Sequence, residues 1–183
     1  VIAAPKDEVE LKNMMYSAML AETGPYIIRY PRGYGEGVAW EELPYQKMEA
    51  GKAERVAEGT KVAVVAAGPY VYRAMEAAEE LRSEAGWSPA IYNIRYIKPV
   101  DQDALAEIHA DYDRVVTIED GSVIGGLHGA VAEFMTSHEN PKPVRAVGIP
   151  DRYMSQGTQE ELRHECDLAK DDLKRIFSDE FEK

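Results

Sequence analysis

Apolar and polar positions along this chain change period several times, and each change marks an element. The chain opens on a short apolar run, residues 1–4, followed by Pro5. Asp7-Glu8-Val9-Glu10 then reads as an N-cap with a glutamate three positions on, the capping-box pattern. Leu11, Met15, Ala18 and Met19 recur at helical spacing, which predicts a helix over 8–20 with Met14, Met15 and Met19 as core filler. Gly24-Pro25 ends it, and residues 26–30 (Tyr-Ile-Ile-Arg-Tyr) read as a buried strand stopped by Pro31. This strand–helix–strand order is one βαβ unit with no further strand to complete its sheet. It therefore reads as the remnant of a preceding α/β domain.

The pattern breaks over 31–45, where Gly33, Gly35, Gly37, Trp40 and Pro44 mark a linker. Two strand candidates, 52–57 and 61–67, follow, joined by Glu58-Gly59 as in a hairpin. The second is almost wholly apolar, as a strand covered on both faces must be. Helices at 70–84, 101–110 and 124–137 then alternate with strands at 90–95, 114–118 and 144–148. Thr158 with Glu161 forms another capping box, and a final helical segment starting at Asp167 carries Leu168, Leu173, Ile176 and Phe177. Such alternation predicts a three-layer αβα fold around a mixed, mostly parallel sheet, with the hairpin-like pair supplying an antiparallel edge. The expected organisation is an incomplete domain at 1–33, a linker at 34–47 and a second domain at 48–183.

Composition narrows the partners. Of the 183 residues, 45% are hydrophobic and 30% charged, as in an ordinary globular protein. The formal charge is 21 − 33 = −12. Lys6, Lys12, Arg29 and Arg32 balance Asp7, Glu8, Glu10 and Glu22 over residues 1–33, so the acidic excess lies beyond them. That charge disfavours nucleic acid but not a small phosphorylated ligand, which answers to one or two local arginines. No apolar run reaches membrane-helix length, and the chain opens without a basic leader or secretory core. The single cysteine, Cys166, forms no internal disulfide, which fits a bacterial cytoplasm.

Several residue groups are candidates for chemistry. Gly68-Pro69 precedes a helix, yet one glycine and a donor-less proline fall short of G-x-G-x-x-G, so a plain strand–helix turn is favoured over an anion site. Glu119-Asp120-Gly121, before Gly125-Gly126, sits at the strand edge where open sheets bind ligands. Metal binding there lacks a third ligand, so helix capping or an interface ion pair is favoured. His109, His128, His138 and His164 stand far apart with no i, i+4 spacing, and His128 is favoured as a surface or satisfied-core residue. Cys166 lies between Glu165 and Asp167 and is expected to be chemically quiet. Arg29, at the end of its strand, offers fork-like donors to a phosphate or carboxylate, with a structural salt bridge as the equal alternative.

The strings Ala3-Ala4-Pro5-Lys6-Asp7-Glu8, Ile28-Arg29-Tyr30-Pro31-Arg32-Gly33, Asp113-Arg114-Val115-Val116-Thr117-Ile118-Glu119-Asp120-Gly121, Gly125-Gly126, Gly148-Ile149-Pro150-Asp151-Arg152-Tyr153 and Gln156-Gly157-Thr158-Gln159-Glu160-Glu161-Leu162 together resemble the 1-deoxy-D-xylulose-5-phosphate synthase family. The resemblance covers essentially the whole chain and corresponds to roughly the last third of such enzymes. It implies a transketolase-like C-terminal domain preceded by the end of a pyrimidine-binding domain. The implied parent is a homodimer that uses thiamine diphosphate and Mg²⁺ to condense pyruvate with D-glyceraldehyde 3-phosphate in non-mevalonate isoprenoid synthesis. Within that resemblance Arg29 helps hold the triose phosphate and Arg32 ranks second. The thiamine-activating glutamate, metal ligands and substrate-handling histidines map to no residue here, so this chain alone is expected to be inactive and to bind no cofactor. His128 departs from the family's G-G-x-G-S-A-V pattern, placing an imidazole where a glycine is usual. The alternative is an assembly module of another thiamine-dependent enzyme, such as a transketolase or a 2-oxo-acid dehydrogenase β subunit.

Overall fold

The centre of the molecule is strand β4 (Val62–Ala66), whose five residues are all buried. A computed structural model describes residues 1–21 and 24–183; Glu22, counted in the charge balance, lies outside the described residues. Around β4 runs a five-stranded sheet in the order β3 (Glu54–Ala57), β5 (Ala90–Asn93), β4, β7 (Arg114–Ser122), β8 (Val144–Ile149). Because side chains alternate across a strand, β4 serves two cores at once. Val62, Val64 and Ala66 pack beneath α2 (Tyr70–Ala85) and α6 (Lys170–Phe181), while Ala63 and Val65 pack beneath α3 (Gln102–Asp111) and α4 (Leu127–Thr136). The three-layer αβα expectation is met, and α5 (Gln159–Glu165) carries the Thr158–Glu161 capping box.

The antiparallel edge strand is present, but not as a hairpin. β3 pairs antiparallel with β5, and β5 is parallel to β4, so a whole strand separates the two segments. The connection passes so close to the start of β5 that a Cβ on Gly59 would lie 2.0 Å from the Pro89 carbonyl carbon. Only glycine permits that crossing, which carries the chain to the far side of β5.

The N-terminal unit departs further from expectation. Its sheet has the order β2 (Ile27–Ile28), β1 (Ile2–Ala3), β6 (Tyr96–Lys98), and the last strand comes from the other unit. The strand expected over 90–95 stops at Asn93, and Arg95 takes a left-handed turn (φ 56°) that sends β6 antiparallel against β1. β2 is an edge strand rather than a buried one, with Ile27 exposed. The final helix begins at Lys170 rather than Asp167, which sits at φ 57°.

Helix α1 (Glu8–Met19) is inverted relative to its apolar pattern. Met14 is buried, but Met15 and Met19 are 56% and 84% exposed, so they are not core filler. The buried face is polar, because it supplies partners to an irregular backbone that needs them. Lys12 Nζ donates to the carbonyls of Trp40 (2.6 Å) and Leu43 (2.7 Å). The side chains of Asn13 and Ser17 accept from the Gln46 and Met48 N–H groups, and Glu8 accepts from Gly37.

Glu10 also differs from its expected role. Asp7 caps the helix by accepting from the Glu10 N–H (2.8 Å), but the Glu10 carboxylate reaches back to the Lys6 N–H (2.9 Å) rather than to Asp7. Its Oε1 accepts from Asn93 Nδ2 (2.9 Å) and Arg95 Nε (2.7 Å), and Arg95 Nη2 continues to Glu54 (2.6 Å). Glu10 and Asn93 are both buried. A carboxylate removed from water in this way is tolerable only because each oxygen is occupied.

Two stability predictions follow from these contacts. Glu10→Ala strips Asn93 Nδ2 and Arg95 Nε of their acceptor, leaving Arg95 only its Glu54 partner, and is expected to lower the unfolding free energy by about 3 kcal/mol in a urea titration; an unchanged midpoint would show that the network holds nothing. Glu180 joins α6 to Arg114 (2.6 Å) and Arg145 (3.3 Å) on the sheet. Burial alone would raise its pKa, yet Lys183, Arg114 and Arg145 hold it below the ordinary 4.5. A depressed folded-state pKa contributes stability above the ordinary value and loses it as pH falls through the folded one. The melting-temperature gap between wild type and Glu180→Gln is therefore expected to be widest at neutral pH and to close in acid; a gap independent of pH contradicts it.

Candidate functional site

The candidate residues gather where β2 leaves the small sheet and β7 ends in the large one. Ala3 at the end of β1 accepts from the Arg29 N–H (2.8 Å), and Ala4 donates to the Arg95 carbonyl (2.8 Å), so the two arginines flank that strand end. Arg29 Nη1 and Nη2 both donate to Glu119 Oε2, at 3.2 and 3.1 Å. The other oxygen, Oε1, accepts from the Leu127 N–H at 2.5 Å and so caps α4. Glu119 is 1% exposed against 37% for the Arg29 side chain. Glu119 thus fulfils both parts of the structural expectation, capping a helix and pairing across the two units.

The glycines around it are there for space. A Cβ on Gly126 would stand 2.2 Å from Glu119 Oε1 and 2.6 Å from the Ser122 carbonyl. One on Gly121 would stand 2.8 Å from Arg29 Nη1. The ion pair and the cap therefore exist only while both positions lack side chains.

Three residues along the chain, Arg32 is placed differently. It is exposed, and among the described residues its guanidinium enters no ion pair; its carbonyl accepts from the Gln159 side chain (3.4 Å). It opens onto a cleft of about 680 Å³ between the N-terminal unit, α2 and α5. Lys6, Arg73 and Arg163 also line this cleft, opposed by Asp7, Glu8, Glu36 and Asp120. Burial would lower the pKa of Lys6, but Glu10 and Asp7 outweigh it and the ammonium form is favoured. Burial raises the Glu36 carboxyl, against the pull of Arg73. Leu11, Pro69, Tyr70, Met154 and Leu162 give the cleft apolar walls.

The other candidates take quieter positions. Gly68 (φ 65°) and Pro69 form a strand–helix turn. Cys166 lines the cleft with its thiol pKa raised, by burial first and then by Glu165, in line with the expected inertness. His128 is half-buried against the Thr117 hydroxyl (3.3 Å), which takes up the imidazole where a glycine was the pattern. His164 pairs with Asp172 (2.9 Å). The histidines are not all far apart: the rings of His109 and His138 meet, with centroids 4.5 Å apart. Magnesium finds no fit here, because among the described residues no three His, Cys, Asp or Glu side chains converge and Glu119 is fully engaged.

Sequence reasoning singled out Arg29, Arg32 and Glu119 but not the bond between Arg29 and Glu119, 90 residues apart. It read Glu10 only as a capping-box glutamate and passed over Asn93 and Arg95, whose only signal was polarity at positions where the strand pattern asked for none.

Comparison with known proteins places this geometry among relatives. The profile of the family "Transketolase, C-terminal domain" matches residues 51–173. The chain is 40% identical over 94% of its length to a 1-deoxy-D-xylulose-5-phosphate synthase of Bacteroides thetaiotaomicron, and 42% identical over 89% to one of Dictyoglomus turgidum. It spans about a quarter of the length of these curated relatives, 26% in each case. A solved structure described as a split gene transketolase, inactive β4 tetramer, superposes with a TM-score of 0.80 at 30% identity, covering 97% of this chain and 56% of that one.

Gly126→Ala changes no charge yet drives a methyl onto Glu119 and is expected to cost about 1–3 kcal/mol in a denaturant titration. Hydrogen exchange at the Leu127 amide should accelerate with it. Full protection there would mean that the carboxylate has a second place to go.

Proposed function

Because the chain belongs to the family of transketolase C-terminal domains, we propose that it is the C-terminal part of an enzyme of the 1-deoxy-D-xylulose-5-phosphate synthase type, and that Arg32 and Arg29 together receive the phosphate of D-glyceraldehyde 3-phosphate. In this reading the parent joins pyruvate to that triose with loss of CO2. Thiamine diphosphate with Mg²⁺ supplies the decarboxylating chemistry when bound by the rest of such an enzyme, to which most of the relatives' length belongs. The two or more copies that transketolase-like enzymes assemble from are read here as a homodimer in the bacterial cytoplasm. No described helix is long and apolar enough to cross a membrane.

The observation that carries the reading is the guanidinium of Arg32 on the cleft, which enters no ion pair among the described residues, three residues along from an Arg29 fixed by a buried carboxylate. An arginine whose charge is matched by Glu119 adds little net attraction for a dianion, but it is rigid and keeps the donors that Glu119 does not take. An unpaired arginine stays protonated and offers a bidentate fork. Arg32 is therefore assigned the main phosphate contact, and Arg29 the positioning of the segment that carries it. This reverses the order in which the sequence ranked them. The higher identity to the synthases than to the split-gene transketolase favours this reading over another thiamine-dependent enzyme.

In the full-length enzyme, Arg32→Ala is expected to raise KM for the triose phosphate at least tenfold while KM for pyruvate stays within about twofold, one charge-assisted contact being worth roughly 1.5–3 kcal/mol. Arg29→Ala is expected to lower the melting temperature as well as triose use. Equal losses for both substrates in Arg32→Ala would sink the phosphate assignment, and a parent that makes no 1-deoxy-D-xylulose 5-phosphate would sink the enzyme assignment.

A further inference from the structure

At the opposite end of α4 from the arginine corner, two imidazoles share a surface position. His109 lies in the last turn of α3 and His138 just beyond α4. Their ring centroids are 4.5 Å apart with planes inclined by 33°.

The hydrogen bonds fix which nitrogen of each ring is free. His109 Nε2 lies 2.9 Å from the Asn140 carbonyl, and His138 Nδ1 lies 2.9 Å from the Phe134 carbonyl. A carbonyl oxygen only accepts, so each of these nitrogens carries the proton. The neutral rings are then left with lone pairs on His109 Nδ1 and His138 Nε2. An imidazole whose N–H is held by a backbone carbonyl while its other nitrogen is free is in the state that metal-ligating histidines adopt.

We propose that His109 and His138 form a surface site for a divalent transition metal of the imidazole-preferring class, with Zn²⁺ as the reference ion. Nitrogens about 2.0–2.1 Å from one zinc ion at the tetrahedral angle place two imidazole centres roughly 5 Å apart, so the observed 4.5 Å has to open only by a fraction of an ångström to admit the ion. The rings need no folding step to reach it, because α3 and the helix-terminal carbonyl of Phe134 already hold them together. Phe134, whose ring centroid is 4.7 Å from that of His138, backs the pair on its apolar side. The chain's net charge of −12 favours the approach of a dication. Since no third protein ligand converges among the described residues, water completes the coordination and the ion stays exchangeable. Its effect is to tie α3 to the segment that leads into β8.

Calorimetric titration of the chelator-treated chain with zinc chloride at pH 7.5 tests this. One saturable site is expected, weakened at least tenfold by either His109→Gln or His138→Gln and unaffected by His164→Gln. Zinc should raise the melting temperature of the wild type and not of the two variants, and added chelator should reverse that rise. Absence of a saturable site, or a site that survives both substitutions, overturns the proposal. Should either variant fail to fold, the imidazole NMR signals of the wild type decide: zinc-induced shifts at His109 and His138 support it, and shifts confined to His128 or His164 refute it.

Discussion

A carboxylate buried between two units sets the terms for the rest of this molecule. Glu10 projects from the N-terminal helix into the side of the large sheet, where Asn93 and Arg95 meet it. With its carboxylate out of water, the helix has one rotational setting about its axis in which those donors are reached. That setting turns the polar face inward and Met15 and Met19 outward, against the hydrophobic pattern, while Met14 stays buried. It also brings β1 beside β6, so that a backbone ladder and a buried ion pair hold the same joint. The linker then finds its hydrogen-bond partners on the same polar face.

The arginine corner repeats that arrangement at a second joint. Glu119 serves Arg29 with one oxygen and the start of α4 with the other, leaving no room for a side chain at Gly126. A helix N-terminus, a strand end and an arginine from another unit are thereby locked in one geometry. Arg32 follows on the far side of Pro31, close enough to inherit that rigidity and far enough to keep its own charge unmatched. In the proposed reading, positioning and charge are divided between two arginines that the sequence presents as a pair.

The large sheet was legible in the sequence because its signals are local. An all-apolar strand such as β4 and the helix–strand alternation depend on neighbours within a few residues, and all came out as read. What failed was non-local. The hairpin inference put β3 beside β4, when close backbone passage at Gly59 sends it past β5. The methionine stripe of α1 was assigned to a core on spacing alone, when Asn13, Ser17 and Glu10 had partners that lie dozens of residues away. At the site, Arg29 and Glu119 were each marked by their position at a strand end, but their pairing crosses 90 residues of chain and no spacing announces it. The contact of His109 with His138 likewise depends on the packing of α3 against α4.

The small sheet has a consequence for where this molecule can be divided. Residue patterns place a seam near the linker, yet β6 belongs by sequence to one side of that seam and by hydrogen bonding to the other. A chain shortened to the matched family region would carry Tyr96–Lys98 as an unpaired edge, with Asn93 and Arg95 beside it stripped of their carboxylate. Such a piece would offer an open strand, the feature that recruits a second chain by strand addition, while Arg95 kept only its Glu54 partner. The stretch of chain that this sheet requires is therefore longer than the stretch matched by the family, because the first thirty or so residues supply the strand that covers the β6 edge.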